Sequence, residues 1–394
     1  MVGKTGKDAE AERGRYEIVR YRAEFKSEVV ELQRHLWGRD MALNAAYLEW
    51  KYEQNPYADA PFIYLALCEG QVVGMRGMYG AEWQVGQPCQ TVVGLCGGDL
   101  VIAPDHRNRG LFIRIMRAAL DDLVNNGSTY VFGLSASPVV YLGSLTMGWR
   151  GIGSLQTMGR EAIFYRVRRY ASRLPFVSSA SRRARRYADT LPLLSSSERR
   201  RVFFPLDRNG ARRSGTVSPH VSLEQAPKPE VMVELVDRIG TDGRMRHVRD
   251  QRYFAWRFRN PRSLYRFLFW NDARLEGYLV LQTPAYRNRV TVSIVDWEAT
   301  SARVQADLLM AALHWGNFSE LTIWSATLPD ETKALLRNTG FKDLAQTPTI
   351  GRYTPTVLVR PVRDEMLHAD WILADRRLLD LTNWDLRMVY SDTY

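Results

Sequence analysis

The chain has 394 residues, 45% of them hydrophobic and 25% charged, with three cysteines and a formal net charge of +11. That length exceeds what one hydrophobic core usually supports and predicts two domains. No apolar run reaches the roughly 18 to 20 residues needed to span a bilayer, and the polar opening MVGKTGKDAEAERGR lacks the apolar region of a signal peptide, so a cytoplasmic chain is expected.

Cys68, Cys89 and Cys96 are odd in number, are not at metal-ligand spacing and have no His-x-x-x-His companion. They argue against a disulfide frame or a metal site and read as buried thiols. The charge is concentrated: residues 160–213 hold 15 Arg and no Lys against four acidic residues, and the basic and acidic residues elsewhere cancel.

In chain order, residues 1–15 read as a disordered N-terminus, followed by a strand in YEIVRYR and a helix over 28–38 that stops at Gly38. The stretch YLEWKYEQNP (47–56) comes next, then a hairpin in IYLALCEGQVVGMRGMY turning at Glu69–Gly70. A further strand, DLVIAP, leads through the loop DHRNRG into a helix. There Leu111, Phe112, Ile115, Met116, Ala119, Leu120 and Leu123 share one face at i, i+3/i+4 spacing, with Gly127 as the stop. The strand TYVFGLS and a short helix ending at Gly148–Trp149 close this first unit, 16–158.

Residues 159–217 are the Arg-rich insert, divided by Pro175, Pro192 and Pro205. The element order then recurs over 218–394: HVSLEQA, a helix over 230–240, YFAWRFRNP (253–261), a hairpin turning near Asn271–Asp272, the strand VTVSIVDWEA, a helix, the strand ELTIWSAT and a Gly340–Phe341 ending. Tyr253 and Trp256 repeat the spacing of Tyr47 and Trp50. Two α/β units in the same order describe a duplicated domain around an inserted linker.

A loop that feeds a helix N-terminus offers unpaired backbone N–H groups and the positive end of the helix dipole to a pyrophosphate. Gly110 admits close approach of the backbone, and Arg107 and Arg109 add charge. The strand VIAP followed by Arg107-x-x-Gly110 and a helix resembles the acetyl-CoA-binding motif of the GNAT acyltransferase superfamily. The order of elements over most of residues 16–155 is similar to that family's, and YLEWKYEQNP, RGLF and the Tyr141 to Trp149 ending look most like a bacterial branch associated with polysaccharide biosynthesis.

The resemblance implies a mixed-sheet α/β fold with two GNAT-like domains in tandem, the second degenerate. It implies acyl transfer, acetyl or short acyl, from coenzyme A directly onto an amine, with no metal. The pantetheine arm would lie along Leu100, Val101 and Ile102, and the pyrophosphate on Arg107, Asn108, Arg109, Gly110, Leu111 and Phe112. Phe112 departs from the Gly or Ala usual there, so its ring must pack away. His106 reads as a loop residue rather than a catalyst.

An ammonium has no free lone pair, so a base must take a proton from the acceptor and an acid must return one to the thiolate. Asp99, at the start of the pantetheine strand, reads either as that base or as a solvated carboxylate at a Gly-Gly bulge; Glu82 and Glu49 are weaker choices. The family's usual acid position is Ser144 here, and Tyr141, about one turn earlier, either takes the role or packs. Ser137 stands where an Asn near the thiol is common.

At the corresponding point the second half reads VDWEATSARVQADLL, without Gly and with Glu298 opposing an anion. It is expected to have lost the donor site and to cover the first unit, with Trp256, Arg257, Trp297 and Trp324 as candidates for an acceptor cleft between the units. The basic insert reads either as a solvated linker or as a contact for an anionic surface, membrane headgroups or an acyl carrier protein. Nothing beyond charge points to nucleic acid. Two other functions stay open: transfer from a carrier protein or aminoacyl-tRNA, and a non-catalytic membrane-peripheral binding protein.

Overall fold

The computed structural model describes residues 15–161, 217–285, 291–315, 318–344 and 355–391; the insert beyond Glu161 lies outside them. After β1 (Tyr16–Arg20), helix α1 (Lys26–Trp37) buries Val29, Val30, Leu32 and Gln33 and ends at Gly38, whose φ of 104° is open to glycine. Helix α2 (Met41–Leu48) begins where Asp40 accepts the Leu43 N–H, and it runs on into a π-helical turn, Glu49–Glu53. Strands β2 (Phe62–Cys68) and β3 (Gln71–Val85) meet at Glu69–Gly70, both at positive φ as a two-residue hairpin turn requires. Strand β4 (Gln90–Ile102), α3 (Leu111–Asn125), β5 (Tyr130–Ala136), α4 (Pro138–Leu145) and β6 (Arg150–Ser154) follow.

The second unit comprises β7 (Thr157–Glu161), β8 (Val221–Glu224), α5 (Pro229–Ile239), the two-residue β9 (Arg246–His247), α6 (Gln251–Arg257), β10 (Ser263–Asn271), β11 (Leu275–Pro284) and β12 (Thr291–Ala299). Helix α7 (Ala302–Trp315), β13 (Glu320–Trp324), α8 (Asp330–Asn338) and β14 (Lys342–Asp343) complete it, and β15 (Thr356–Pro361) comes after them.

Sheet membership crosses the expected boundaries at 158 and 218. The first sheet runs β1-β2-β3-β4-β5-β15-β6, with β9 paired on β3; the second runs β14-β7-β13-β12-β11-β10-β8. Strand β7, which follows the first unit in sequence, therefore sits between β13 and β14, and β15, which follows the second unit, fills the equivalent place between β5 and β6. The two units have exchanged their last strands. Each exchanged strand satisfies two sheet edges that would otherwise be unpaired, which ties the halves together through backbone hydrogen bonds.

The repeat is also written in the core. Trp50 and Trp256, equivalent in the two sequence copies, stack with ring centroids 5.2 Å apart and planes within 14°. Each indole N–H donates to the other residue's carbonyl, at 2.9 and 2.8 Å, as a local two-fold relation demands. One hydrophobic cluster is continuous through this contact and takes in residues of both units and of the C-terminal segment, among them Trp384 and Tyr390. The expectation of three buried thiols holds for Cys68 and Cys96; Cys89 is exposed, because it lies in the turn between β3 and β4.

Candidate active site

Strands β4 and β5 run parallel and pair only at Leu95–Val131 and Cys96–Phe132. Beyond that point β4 slips register against β3 around Gly97 to Leu100, while β5 stays paired along its other edge with β15. The divergence opens a cleft of about 190 Å³ between Gly97–Leu100 on one side and Gly133, Ala136 and Ser137 on the other. Leu36 and Trp37 from the end of α1, Arg76 of β3, Val140 and Ser144 from α4, Trp149 and Leu358 complete its walls.

At one end of β4 the chain passes through a short turn, Pro104–His106, to Gly110, the N-cap of α3, at φ 71° and ψ 10°. No side chain caps this helix, and nothing lies within 4 Å of where a Gly110 Cβ would be. The first turn of α3 thus presents its N–H groups and dipole to open space. The exposed Arg107 and Arg109 fold back on the loop, donating to the carbonyls of Ile102 (3.0 Å) and Asp105 (3.2 Å). An uncapped, glycine-initiated helix start thus lies next to a split between parallel strands.

Residues 17–150 match the family model of the GNAT acetyltransferase domain. This segment is a GNAT acetyltransferase domain. In three dimensions the chain resembles a GCN5-related N-acetyltransferase from Anabaena variabilis (TM-score 0.53, 14% identity, 89% of this chain and 73% of that one). It also resembles a probable N-acyltransferase from Enterococcus faecalis (TM-score 0.52, 12% identity, 88% and 73%). A tandem GNAT protein from the clavulanic acid biosynthesis pathway aligns over 88% of this chain and 99% of its own (TM-score 0.50, 11% identity). These likenesses are of fold, and the last shares the tandem arrangement. No curated protein is significantly similar in sequence.

The GNAT fold indicates acyl transfer from coenzyme A, and the family uses acetyl-CoA as its substrate. Leu100 lines the cleft, Val101 is buried beneath it and Ile102 is half-buried. Asn108 adopts the left-handed region at φ 60°, which turns the loop toward Gly110. Leu111 is buried and anchors the helix, while the Phe112 ring packs on the backbone of Gly143, where a Cβ would come within 2.8 Å of it. Phe112 therefore joins the loop to α4. His106 is held by Tyr16, with Nδ1 3.0 Å from its hydroxyl.

Asp99 does line the cleft, but it is not a solvated carboxylate. Its side chain and that of Lys51 are each 1% exposed, with Lys51 Nζ 3.0 Å from Asp99 Oδ1. The Gln33 amide reaches the other oxygen at 3.5 Å, and the rings of Tyr47, Tyr52 and Tyr79 surround the ammonium at 5.0 to 5.3 Å. Gly98 makes room for this: a Cβ there would stand 2.5 Å from Lys51 Nζ. Glu82 and Glu49 are elsewhere, the first facing Arg252 and the second paired with Lys26.

Ser137 caps α4, accepting the Val140 N–H at 3.4 Å, and it borders the cleft. Val140 and Ser144, four residues apart, face the cleft together. Tyr141 is on the neighbouring face, with its hydroxyl over Gly151 of β6, and is not among the cleft residues. The helix phase that aims Ser144 inward turns Tyr141 away. Lys51, Gln33 and Leu358 were not singled out from sequence; the signal for Lys51 was a basic residue amid aromatics at the same place in both repeats, Lys51 and Arg257.

The second unit repeats the split: β12 and β13 pair from Thr291–Glu320 to Ser293–Thr322 and then diverge, with a register shift in β12. Here the chain's own Asp385–Met388 enters the gap, and Arg387 donates to the Trp297 carbonyl at 2.8 Å. That contact occupies a backbone group of β12, the strand equivalent to β4. Trp256 and Arg257 are buried at the junction of the units, where Arg257 donates to the carbonyls of Val389 and Ser391. Trp297 and Trp324 line the second unit's own cavity. No acceptor cleft between the units is formed by these four residues, because aromatic packing and the C-terminal segment fill that space.

Proposed function

We propose that this GNAT domain is an N-acyltransferase that moves an acetyl or short acyl group from coenzyme A to the amino group of a small, anionic or sugar-nucleotide-like acceptor. The observation that carries the reading is the cleft between β4 and β5 ending at the uncapped, glycine-initiated α3. The amine enters from the Leu36–Trp37 side, its nitrogen bonds to the acyl carbon, and the carbon–sulfur bond breaks. Asp99 is the one carboxylate among the cleft residues and takes the amine's proton, directly or through water, with Lys51 neutralising its charge beforehand. The Ser144 and Ser137 hydroxyls are the groups near enough to the cleft to pass a proton to the thiolate.

Calorimetry with acetyl-CoA tests the donor. Binding to the full chain is expected, with its loss in Gly110→Glu, where a carboxylate meets the phosphates; binding that survives this change would refute the assignment. The carrier-protein reading has one observation of its own. Val139 and Leu142 on α4 are 81% and 64% exposed beside the cleft, near the arginine loop, and would suit an acidic apolar partner. It predicts turnover with a carrier-bound donor that falls with salt.

A further inference from the structure

We infer that Arg76 selects the acyl group: the donor this cleft is built for is a coenzyme A thioester of a dicarboxylic acid, whose far carboxylate meets the Arg76 guanidinium. The acyl group is thereby narrowed from any short one to one that carries a negative charge, a step that rests on the acyl-transfer reading of the cleft.

Arg76 stands inside the buried run of β3, is only 6% exposed and lines the cleft. Its Nη1 donates to the Gly98 carbonyl at 2.6 Å. The neighbouring strand is cut away to receive it: a Cβ on Gly97 would stand 2.2 Å from Arg76 Nη2. That same point is 3.6 Å from the Phe132 carbonyl of β5, and Cys96–Phe132 is the last pair before β4 and β5 part. The guanidinium therefore lies over the head of the split, seated by the bulge that β4 makes between Gly97 and Leu100.

Which reactant it faces follows from the two sides of the sheet. Successive residues of a strand point to opposite faces, and where the Gly97 Cβ position meets Arg76, that of Gly98 meets Lys51. The two cations thus flank β4 from opposite sides. The Lys51 side is that of α1, whose Gln33 reaches Asp99 and whose Leu36 and Trp37 form the amine's entrance. The Arg76 side is that of α3: Tyr64, its cross-strand partner, donates to Asp122 of that helix at 2.7 Å. Trp149 and Leu358 of the cleft wall share a buried cluster with Tyr64 and with Leu111 and Ile115 of α3. A donor held at the start of α3 lies on the Arg76 side, and the acceptor on the other.

The charges of the two sides differ as well. Asp99, the carboxylate of the cleft, is matched by Lys51 on the acceptor side. On the donor side the wall is Arg76 with the apolar Trp149 and Leu358. A bond to a neutral carbonyl positions the guanidinium without cancelling its charge, and apolar surroundings strengthen its pull on an anion. An acetyl group would end there in a methyl, whereas a malonyl or succinyl group ends in the carboxylate that a guanidinium fork pairs with.

Calorimetry on the full chain with succinyl-CoA, butyryl-CoA and acetyl-CoA tests this, since the first two acyl chains have equal carbon number and differ in charge. Succinyl-CoA is expected to bind at least about tenfold tighter than butyryl-CoA. Arg76→Gln should abolish that ratio, and Arg76→Lys, which keeps the charge without the fork, should retain part of it. Equal binding of the two thioesters to the unmodified chain would overturn the inference with no variant needed. So would a ratio that survives in folded Arg76→Gln, as it must if Arg76 only holds the bulge. Failure of all three thioesters to bind would bring down the acyl-transfer reading and the inference with it, whereas binding of all three without preference refutes the inference alone.

Discussion

Lys51→Met together with Asp99→Asn forms the sharpest test of how the acyl cleft is built. The two side chains are each 1% exposed and 3.0 Å apart, so neither charge has water as an alternative partner. Removing one of them leaves the other buried and unpaired, which costs about 3–5 kcal/mol, whereas neutralising both removes the charge problem and costs on the order of 1 kcal/mol. The double variant should therefore lose several kcal/mol less than the sum of the single losses. Urea unfolding followed by tryptophan fluorescence reads this as midpoint shifts at constant slope. Because Lys51 packs beneath Gly98, the Lys51→Met protein should also lose acyl transfer while Gly98 and Asp99 are displaced. Additive single effects, or single losses below about 1 kcal/mol, would show that the pair is not the buried unit described.

Trp50→Ala should cost about 3–5 kcal/mol, and Trp256→Ala added to it should cost less than it does alone, since the stack and the hydrogen bond from the Trp50 indole are already lost at the first step while the Trp256 indole still has the residue-50 carbonyl; thermal unfolding of the three variants measures this. His247 is buried against Tyr390 and Trp83, and burial first, then Arg257 and Arg249, push its pKa well below 6.5. The folded state therefore refuses a proton that the unfolded chain accepts, so stability is full above about pH 6.5 and falls below it by up to about 1.4 kcal/mol per pH unit. His247→Gln should flatten that slope in urea titrations between neutral and mildly acid pH. Asp385, which burial opposes but Arg387, Arg249 and Arg244 together hold down to about 2, adds no loss of its own until far more acid conditions. Ending the chain before β15 should leave β5 and β6 with open edges and give insoluble protein; a soluble product with a cooperative transition would contradict the exchanged-strand description.

Much of this protein is legible one residue after another. The helix stops at Gly38 and Gly127, the Glu69–Gly70 turn and the buried face of α3 follow from local backbone freedom and from the period of apolar residues, and both halves carry them in the same order. The turn that leads from β4 to the glycine-initiated α3 was equally readable, because its form is that of contiguous residues at one helix end. The Phe112 ring turning aside was implied by the same backbone.

What tertiary structure decided are the relations between residues far apart in the chain. Whether β7 and β15 stay with their own units or trade places depends on which sheet edges lie open after folding, and either choice has the same local pattern. The state of Asp99 depends on Lys51, 48 residues away, and the face on which Tyr141 falls depends on how α4 packs against β6. The charge cluster of the second cavity assembles from β12, the segment ahead of α6 and the C-terminal segment. Sequence by itself determined the elements, their duplication and the glycine-initiated start of α3, since these depend on neighbours along the chain. The exchange of strands, the pairing of buried charges and the second cavity depend on neighbours in space, and only the folded chain supplies those.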